Sequence, residues 1–434
     1  MTRRRWIVVA VVVALLLAIA AGVGGWWYHE QTTPKEVVGS STVEFVPREK
    51  PQAKPRPRKV VQTVPWPTYG YDNQRTHLSP FKHRPPYRRL WMLRTRWYVE
   101  YPPVVGYGKV FVSQLKGVFY AVDAKTGEWR WRRKFPFCSA ASPALAAGLV
   151  IESFIPTPCT HGPRGVPGLV VAMRQKDGKT VWRQPIPSES SPLVVGRRVY
   201  VGSWDHHVYA LALGTGNVLW STRVGGEVDS SAAYSGGMVF VGDNSGTLTA
   251  LDASSGAIRW QARSFSRFGG REYFYATPTV AYGRVFASNT DGTVYAFGAG
   301  TGNLLWASHL GTYVYTAPAV WNRTVYAGTY DGKFYALDAA TGTTRWVREM
   351  PAAVHGAPTV MDGLVYVATC GRCGQHGSRS AKAGPFATYA LNARTGKLVW
   401  TFGDGHYSPL VADDERVYLV GSTRIYGMVE RSSR

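Results

Sequence analysis

The chain has 434 residues with 47 Gly, 27 Pro, 16 Trp and 25 Tyr, and only 18% of its residues are charged. That composition suits many short strands joined by tight turns and packed through aromatic rings, and no long amphipathic helix is evident. The net charge is +23, of which +6 falls on residues 1–65 and +17 on the remainder; such a balance favours anionic head groups, acidic wall polymers or an acidic partner protein, and no RNA- or DNA-binding motif accompanies it.

In chain order, residues 1–5 form a short basic tail, and 6–25 contain no charged residue. Twenty apolar residues at helical rise span roughly 30 Å, enough to cross a bilayer, and Trp26, Trp27 and Tyr28 stand where an interfacial belt belongs. Residues 6–28 are therefore expected to form a transmembrane signal anchor, with arginines on the inner side and the bulk of the chain outside a cytoplasmic membrane crossed once. The alternative is a cleaved signal peptide ending near Ala18-Ile19-Ala20, but the apolar stretch exceeds the usual h-region of roughly 7–15 residues. Residues 29–65, with six prolines from residue 31 on and scattered Lys and Arg, read as an extended tether. Their basic stretch 50–59 is also suited to anionic head groups.

From residue 66 to 430 the chain repeats itself with a period of roughly forty residues. The clearest unit reads Ala317-Pro318-Ala319-Val320, Val325-Tyr326-Ala327-Gly328, Asp331-Gly332-Lys333-Phe334-Tyr335-Ala336-Leu337-Asp338, Thr341-Gly342 and Trp346. Three turn signals per unit give four short strands, A to D. Strand A starts near Pro103, Pro143, Pro192, Ala232, Pro278, Pro318, Pro358 and Pro409. In seven units a Gly at the turn into strand D is followed four residues later by a Trp: Trp131, Trp182, Trp220, Trp260, Trp306, Trp346 and Trp400. The eighth unit runs out at Ile425-Tyr426-Gly427, and its missing strand is supplied ahead of the first unit by Tyr87-Arg88-Arg89-Leu90-Trp91. The expectation is an all-β, eight-bladed propeller of four-stranded antiparallel blades closed by an amino-terminal strand, since closure removes the exposed sheet edges. The eight tryptophans, Trp91 included, are assigned to packing between blades.

The motif Ala121-Val122-Asp123-Ala124-Lys125-Thr126-Gly127-Glu128-Trp129-Arg130-Trp131, degenerate in the other units, resembles the pyrroloquinoline-quinone (PQQ) repeat of quinoprotein dehydrogenases. The lead-in Trp66-Pro67-Thr68-Tyr69-Gly70, Asn73 and Ser79-Pro80 is similar to the segment before the first blade of those enzymes. The resemblance spans about 66–429 and implies the propeller. It does not fix the function, because the same repeat builds the non-catalytic propeller lipoprotein of the outer-membrane barrel-assembly machine and the sensor domains of some membrane kinases. In the dehydrogenases an adjacent Cys-Cys pair, a Ca²⁺ held by Glu and Asn and a general-base Asp surround the quinone. This chain has no Cys-Cys pair and no long insertions to dress a cofactor pocket, so no catalytic residue is assigned. No cofactor is expected, PQQ being the one the resemblance would supply. The barrel-assembly protein is typically a lipoprotein, and no lipidation Cys follows the apolar span here.

Four cysteines suit an oxidising compartment. Cys138, just before the second strand A, and Cys159, in the expanded B-to-C connection of that unit, are expected on one face and paired. Cys370 and Cys373 are expected to pair locally within Cys370-Gly371-Arg372-Cys373-Gly374-Gln375-His376, a zinc site there lacking a fourth ligand. Three residues before each strand A, at the mouth of the central channel, the repeat aligns Glu100, Ala140, Glu189, Asp229, Tyr275, Tyr315, His355 and His406. One arc of this ligand-binding candidate is acidic and the other aromatic and imidazole. His355, His406 and Glu100 make a two-His-one-carboxylate set at the ring closure, for which a solvated funnel without metal is the plainer reading. The function read from all this is a membrane-anchored, extracytoplasmic, non-catalytic propeller that binds or scaffolds an envelope protein. The alternatives are an envelope sensor or small-ligand-binding propeller and, behind it, a PQQ-dependent dehydrogenase.

Overall fold

A unit of four short strands cannot bury both faces alone and gains a core only by stacking on its neighbours. The computed structural model, which describes residues 3–46, 64–159, 167–373 and 381–431, has eight four-stranded antiparallel sheets, each following the next in chain order. Burial falls from the centre outwards. Innermost strands such as Val104–Gly106, Thr279–Ala281 and Leu410–Ala412 are fully buried, whereas of the outermost strand Trp129–Lys134 only Trp131 is buried. That gradient is written in the residues, with Val, Ala and Leu inside and Arg, Lys and Thr on the rim.

The tryptophans explain the repeat's fixed spacing. In seven blades the pairing of strands C and D slips by one residue directly after the Ala that faces the Trp, as at Ala121 opposite Trp131 and Ala296 opposite Trp306. Such a bulge turns the indole toward the next blade. In six of the seven it covers the Gly of that blade's C-to-D turn and donates its Nε1–H to a carbonyl, among them Trp131 to Gln175 at 3.0 Å, Trp182 to Leu213 at 2.8 Å and Trp306 to Ala339 at 3.1 Å. Gly178, under Trp131, has φ +69 and no room for a side chain, a Cβ there lying 2.6 Å from the ring. Glycine is required on both counts.

Ring closure uses the same device with exchanged parts. The strand Tyr87–Arg94 pairs antiparallel with Arg424–Glu430, from Tyr87 opposite Glu430 to Arg94 opposite Arg424, and its bulge falls just before Trp91. Opposite Trp91 stands Gly427 where the other blades have Ala. Trp91 then donates to Ala124 O of the first blade at 3.0 Å. On the other side of the same sheet, Trp400 meets Tyr87 edge-on at 5.3 Å.

The lead-in 66–79 closes one end of the channel. It runs around the inner rim and bonds in turn to Val105, Leu145, Tyr234, Val280, Val320 and Val360, each on the innermost strand of a different blade. Arg75, fully buried, fills the centre of this floor and donates to Ala232 O at 2.8 Å, Thr68 Oγ1 at 2.7 Å, Tyr69 O at 2.5 Å and Ser191 O at 3.2 Å. The channel is therefore a blind funnel, open at the face that carries the D-to-A connections.

The amino-terminal helix runs Arg3–Thr32, past the expected end of the span at Tyr28. Residues 37–46, inside the segment expected to be an extended tether, are seated on blades five and six. Val37 pairs with Ala307, Gly39 N–H donates to Thr341 O at 2.9 Å and Val46 N–H to Tyr282 O at 3.0 Å. The cause is Arg284, whose buried guanidinium gathers Ser40 O and Val43 O at 2.7 Å along with Ala339 O at 3.1 Å. The basic stretch 50–59 lies outside the described residues.

Candidate binding site at the channel mouth

The D-to-A connections put one residue per blade at the channel mouth, and the repeat's numbering locates it. Glu100, Tyr275, Tyr315 and His355 line one cavity together with Tyr69, Tyr101 and Tyr407. Around it runs a continuous arc of rings. Tyr275 meets Tyr315 edge-on at 5.2 Å, Tyr315 stacks on His355 at 5.4 Å, His355 meets Tyr407 at 4.5 Å, Tyr407 lies 3.9 Å from His406, and His406 lies 5.1 Å from Tyr98. Tyr330 stacks beneath Tyr315 at 4.8 Å and its hydroxyl pairs with Nδ1 of His355. At the acidic end of the arc the Tyr275 hydroxyl donates to Glu189, while Asp229 accepts from Trp204 Nε1 at 2.5 Å and from Asn244 Nδ2 at 2.7 Å. Ala140 is buried and adds no polar group.

Tyr69, Tyr101, Tyr330 and Tyr407 were not singled out by sequence position. Tyr101 and Tyr407 each follow an aligned residue by one place, Tyr330 sits in a B-to-C turn, and Tyr69 belongs to the floor. Only the pairing of strands from distant repeats shows that these turns converge.

Low-dielectric surroundings set the protonation of the mouth. Burial pushes the Glu100 carboxyl up to about 7. Glu189 is raised well above the ordinary carboxyl range, by burial first and then by the like charges of Asp229 and Glu100. The imidazoles move the other way, His355 down to about 3 through burial and the neighbouring His406, and His406 down to about 4 through burial. At neutral pH both rings are uncharged.

Cys138 is bonded to Cys159 and Cys370 to Cys373. The second disulfide lies beside His406: among the described residues, Cys370, Cys373 and His406 are the one His/Cys/Asp/Glu group whose ligand atoms all fall within 4.8 Å. Glu100, His355 and His406 form no such group, and His376 lies outside the described residues.

The open space inside the cavity is about 30 Å³, room for roughly one water, against the roughly 300–1,000 Å³ of small-molecule sites. A tricyclic quinone does not fit among these packed rings. Among the described residues, wider open cavities of about 690 and 480 Å³ lie beside Arg133 and Arg223.

The repeats match the family described as outer membrane protein assembly factor BamB, over residues 85–155, 163–290, 205–315 and 290–429. The chain belongs to this family of PQQ-repeat propellers. Among curated relatives it is 24% identical over 241 residues to the outer membrane protein assembly factor BamB of Shewanella oneidensis, covering 50% of this chain and 58% of that protein. To the protein of the same name from Yersinia pestis it is 31% identical over 160 residues, 33% of this chain and 39% of the other. The chain thus spans only about two fifths to three fifths of these relatives' length. Of solved structures, BamB from Moraxella catarrhalis aligns with a TM-score of 0.61 at 15% identity, over 79% of this chain and all of that one. Quinohemoprotein alcohol dehydrogenase from Comamonas testosteroni aligns with 0.67 at 14% identity, over 86% and 81%. At these identities the structures share the fold and no more.

Proposed function

We infer that this family member is a non-catalytic, extracytoplasmic propeller, held at a membrane by its amino-terminal helix, that binds an envelope protein at its mouth face. The carrying observation is the contrast between a funnel with no room for a small molecule and a rim that displays large rings. Trp97 and Tyr98 are 41% and 46% exposed at the ring closure. Exposed aromatics over a packed base are the usual anchors of protein interfaces, where single residues carry about 2 kcal/mol or more. The relatives' name, an assembly factor, supports protein binding over catalysis. The helix Trp6–Thr32, apolar and exposed along its most apolar stretch, supports the anchor.

The test is a photocrosslinking residue at Trp97 in the full chain, with one at Lys397 on the opposite face as control. The expected result is one envelope protein crosslinked from the mouth only, with its affinity reduced at least about tenfold by Trp97→Ala with Tyr98→Ala. Equal crosslinking from both faces, or none dependent on the two rings, would contradict it.

A further inference from the structure

The connection between blades four and five is longer than its equivalents and folds into a hairpin of its own, Ser266–Arg267 paired with Gly270–Arg271. Phe268 and Gly269 form its two-residue tip with φ +48 and +78. Both central residues of such a turn need positive φ, and the favoured pairs are Asn-Gly and Asp-Gly. Phenylalanine in that position costs on the order of 1 kcal/mol or more and is unexplained by packing in the propeller, since the ring remains 53% exposed.

What the ring does touch is the end of the amino-terminal helix. It meets Trp27 edge-on at 5.6 Å and Tyr28 at 6.0 Å, and its backbone N–H donates to Gln31 Oε1 at 2.7 Å. The hairpin tip is thus level with the Trp26-Trp27-Tyr28 belt. Chain length gives the same answer independently. The helix ends at Thr32 and Val37 is already paired with Ala307 of blade five, so four residues at no more than about 3.6 Å each tie the propeller's flank to the bilayer.

The surface there is basic. Arg267 and Arg271 lie on the hairpin, and Arg223, Arg263 and Arg271 line an open cavity of about 480 Å³ beside it. Among the described residues none of these four arginines forms an ion pair, and Glu272 is the one carboxylate of the hairpin segment 263–273.

We propose that the hairpin 266–271 is a second membrane contact, with Phe268 seated at the bilayer interface and Arg223, Arg263, Arg267 and Arg271 on anionic lipid head groups, so that the mouth side of blades four and five rests on the membrane. The proposal depends on the helix spanning the bilayer, as read above. An aromatic tip supplies apolar insertion and each Arg near an anionic surface adds attraction that salt screens.

The experiment uses the full chain in nanodiscs of phosphatidylcholine alone or mixed with phosphatidylglycerol. A nitroxide is attached at Phe268→Cys and, in a second variant, at Arg267→Cys, with Lys397→Cys on the far face as reference; the native cysteines are occupied in disulfides. Both hairpin labels should collide with oxygen several-fold more, relative to a water-soluble nickel chelate, than the label at 397. The bias at 268 should grow with phosphatidylglycerol, and Arg263→Glu with Arg271→Glu should abolish that growth. Hairpin labels as water-exposed as 397 in both lipids, in discs whose protein retains residues 1–32 by mass, would overturn the docking while leaving the anchor intact. A chain recovered from its native membrane without residues 1–32 would overturn the spanning reading and the proposal with it.

Discussion

Burial moves the carboxyls of Glu100, Glu152 and Glu189 and the imidazoles of His77, His355 and His406 toward their uncharged forms. Glu100 titrates near 7 when folded against 4.5 for the free group, because burial disfavours its carboxylate. Glu152 and Glu189 are raised in the same sense, again by burial first. The folded state therefore holds protons that the unfolded chain has lost, and stability falls as pH rises from about 4.5 through 7. The histidines act oppositely: His77 and His355 are lowered to about 3 and His406 to about 4, so stability falls as pH drops below 6.5. The two trends oppose each other between about 4.5 and 6.5, which places the maximum there. Thermal melts should show the highest Tm in that window and a decline toward about pH 8, and Glu100→Gln should raise Tm at the alkaline end with little change at about pH 4.5. A flat profile, or an equal effect of the substitution at both ends, would contradict the burial argument.

At the scale of the element, six blades are joined to the next, and the last to the first, by one indole laid over one glycine. Six of these joints are repeats of a single solution, Trp400 meeting Tyr87 instead between blades seven and eight, and the remaining one, Trp91 over Gly127, is assembled from the two ends of the described propeller. Gly427 is its tightest point, because a Cβ there would collide with the Trp91 indole opposite it. Gly427→Ala is expected to cost about 1–3 kcal/mol, as overpacking does elsewhere, and to show as a lower denaturation midpoint with the strand Tyr87–Arg94 cut first by protease. The same change at exposed Gly214, where a Cβ meets nothing, should be near neutral.

This element was legible in the sequence because its signal is periodic. The Gly-to-Trp spacing, the strand starts and the missing eighth Trp are all counts along the chain. The seat of residues 37–46 was not legible, since it depends on Arg284, a residue that in sequence looks like one more rim arginine but is buried under five carbonyls. The channel mouth was legible in half. The aligned positions found Glu100, Tyr275, Tyr315 and His355, while Tyr69 enters the cavity wall from the floor and Tyr330 backs Tyr315 and His355 from a turn, segments whose place at the mouth the repeat does not give.

For the whole molecule, closure is the feature on which the rest depends. A closed ring fixes the mouth, leaves each sheet only a short outer edge, which on blade five is met by Val37, and carries on blades five and six the residues 37–46 that follow the helix. Hydrogen exchange of the full chain, followed by mass spectrometry, tests it most directly. If Tyr87–Arg94 and Arg424–Glu430 are the two outer strands of the last blade, their amides should exchange as slowly as those of Val218–Arg223 and Met238–Gly242 in the middle of the ring. Exchange of Tyr87–Arg94 at the rate of an unpaired segment, with the central blades still protected, would contradict the account.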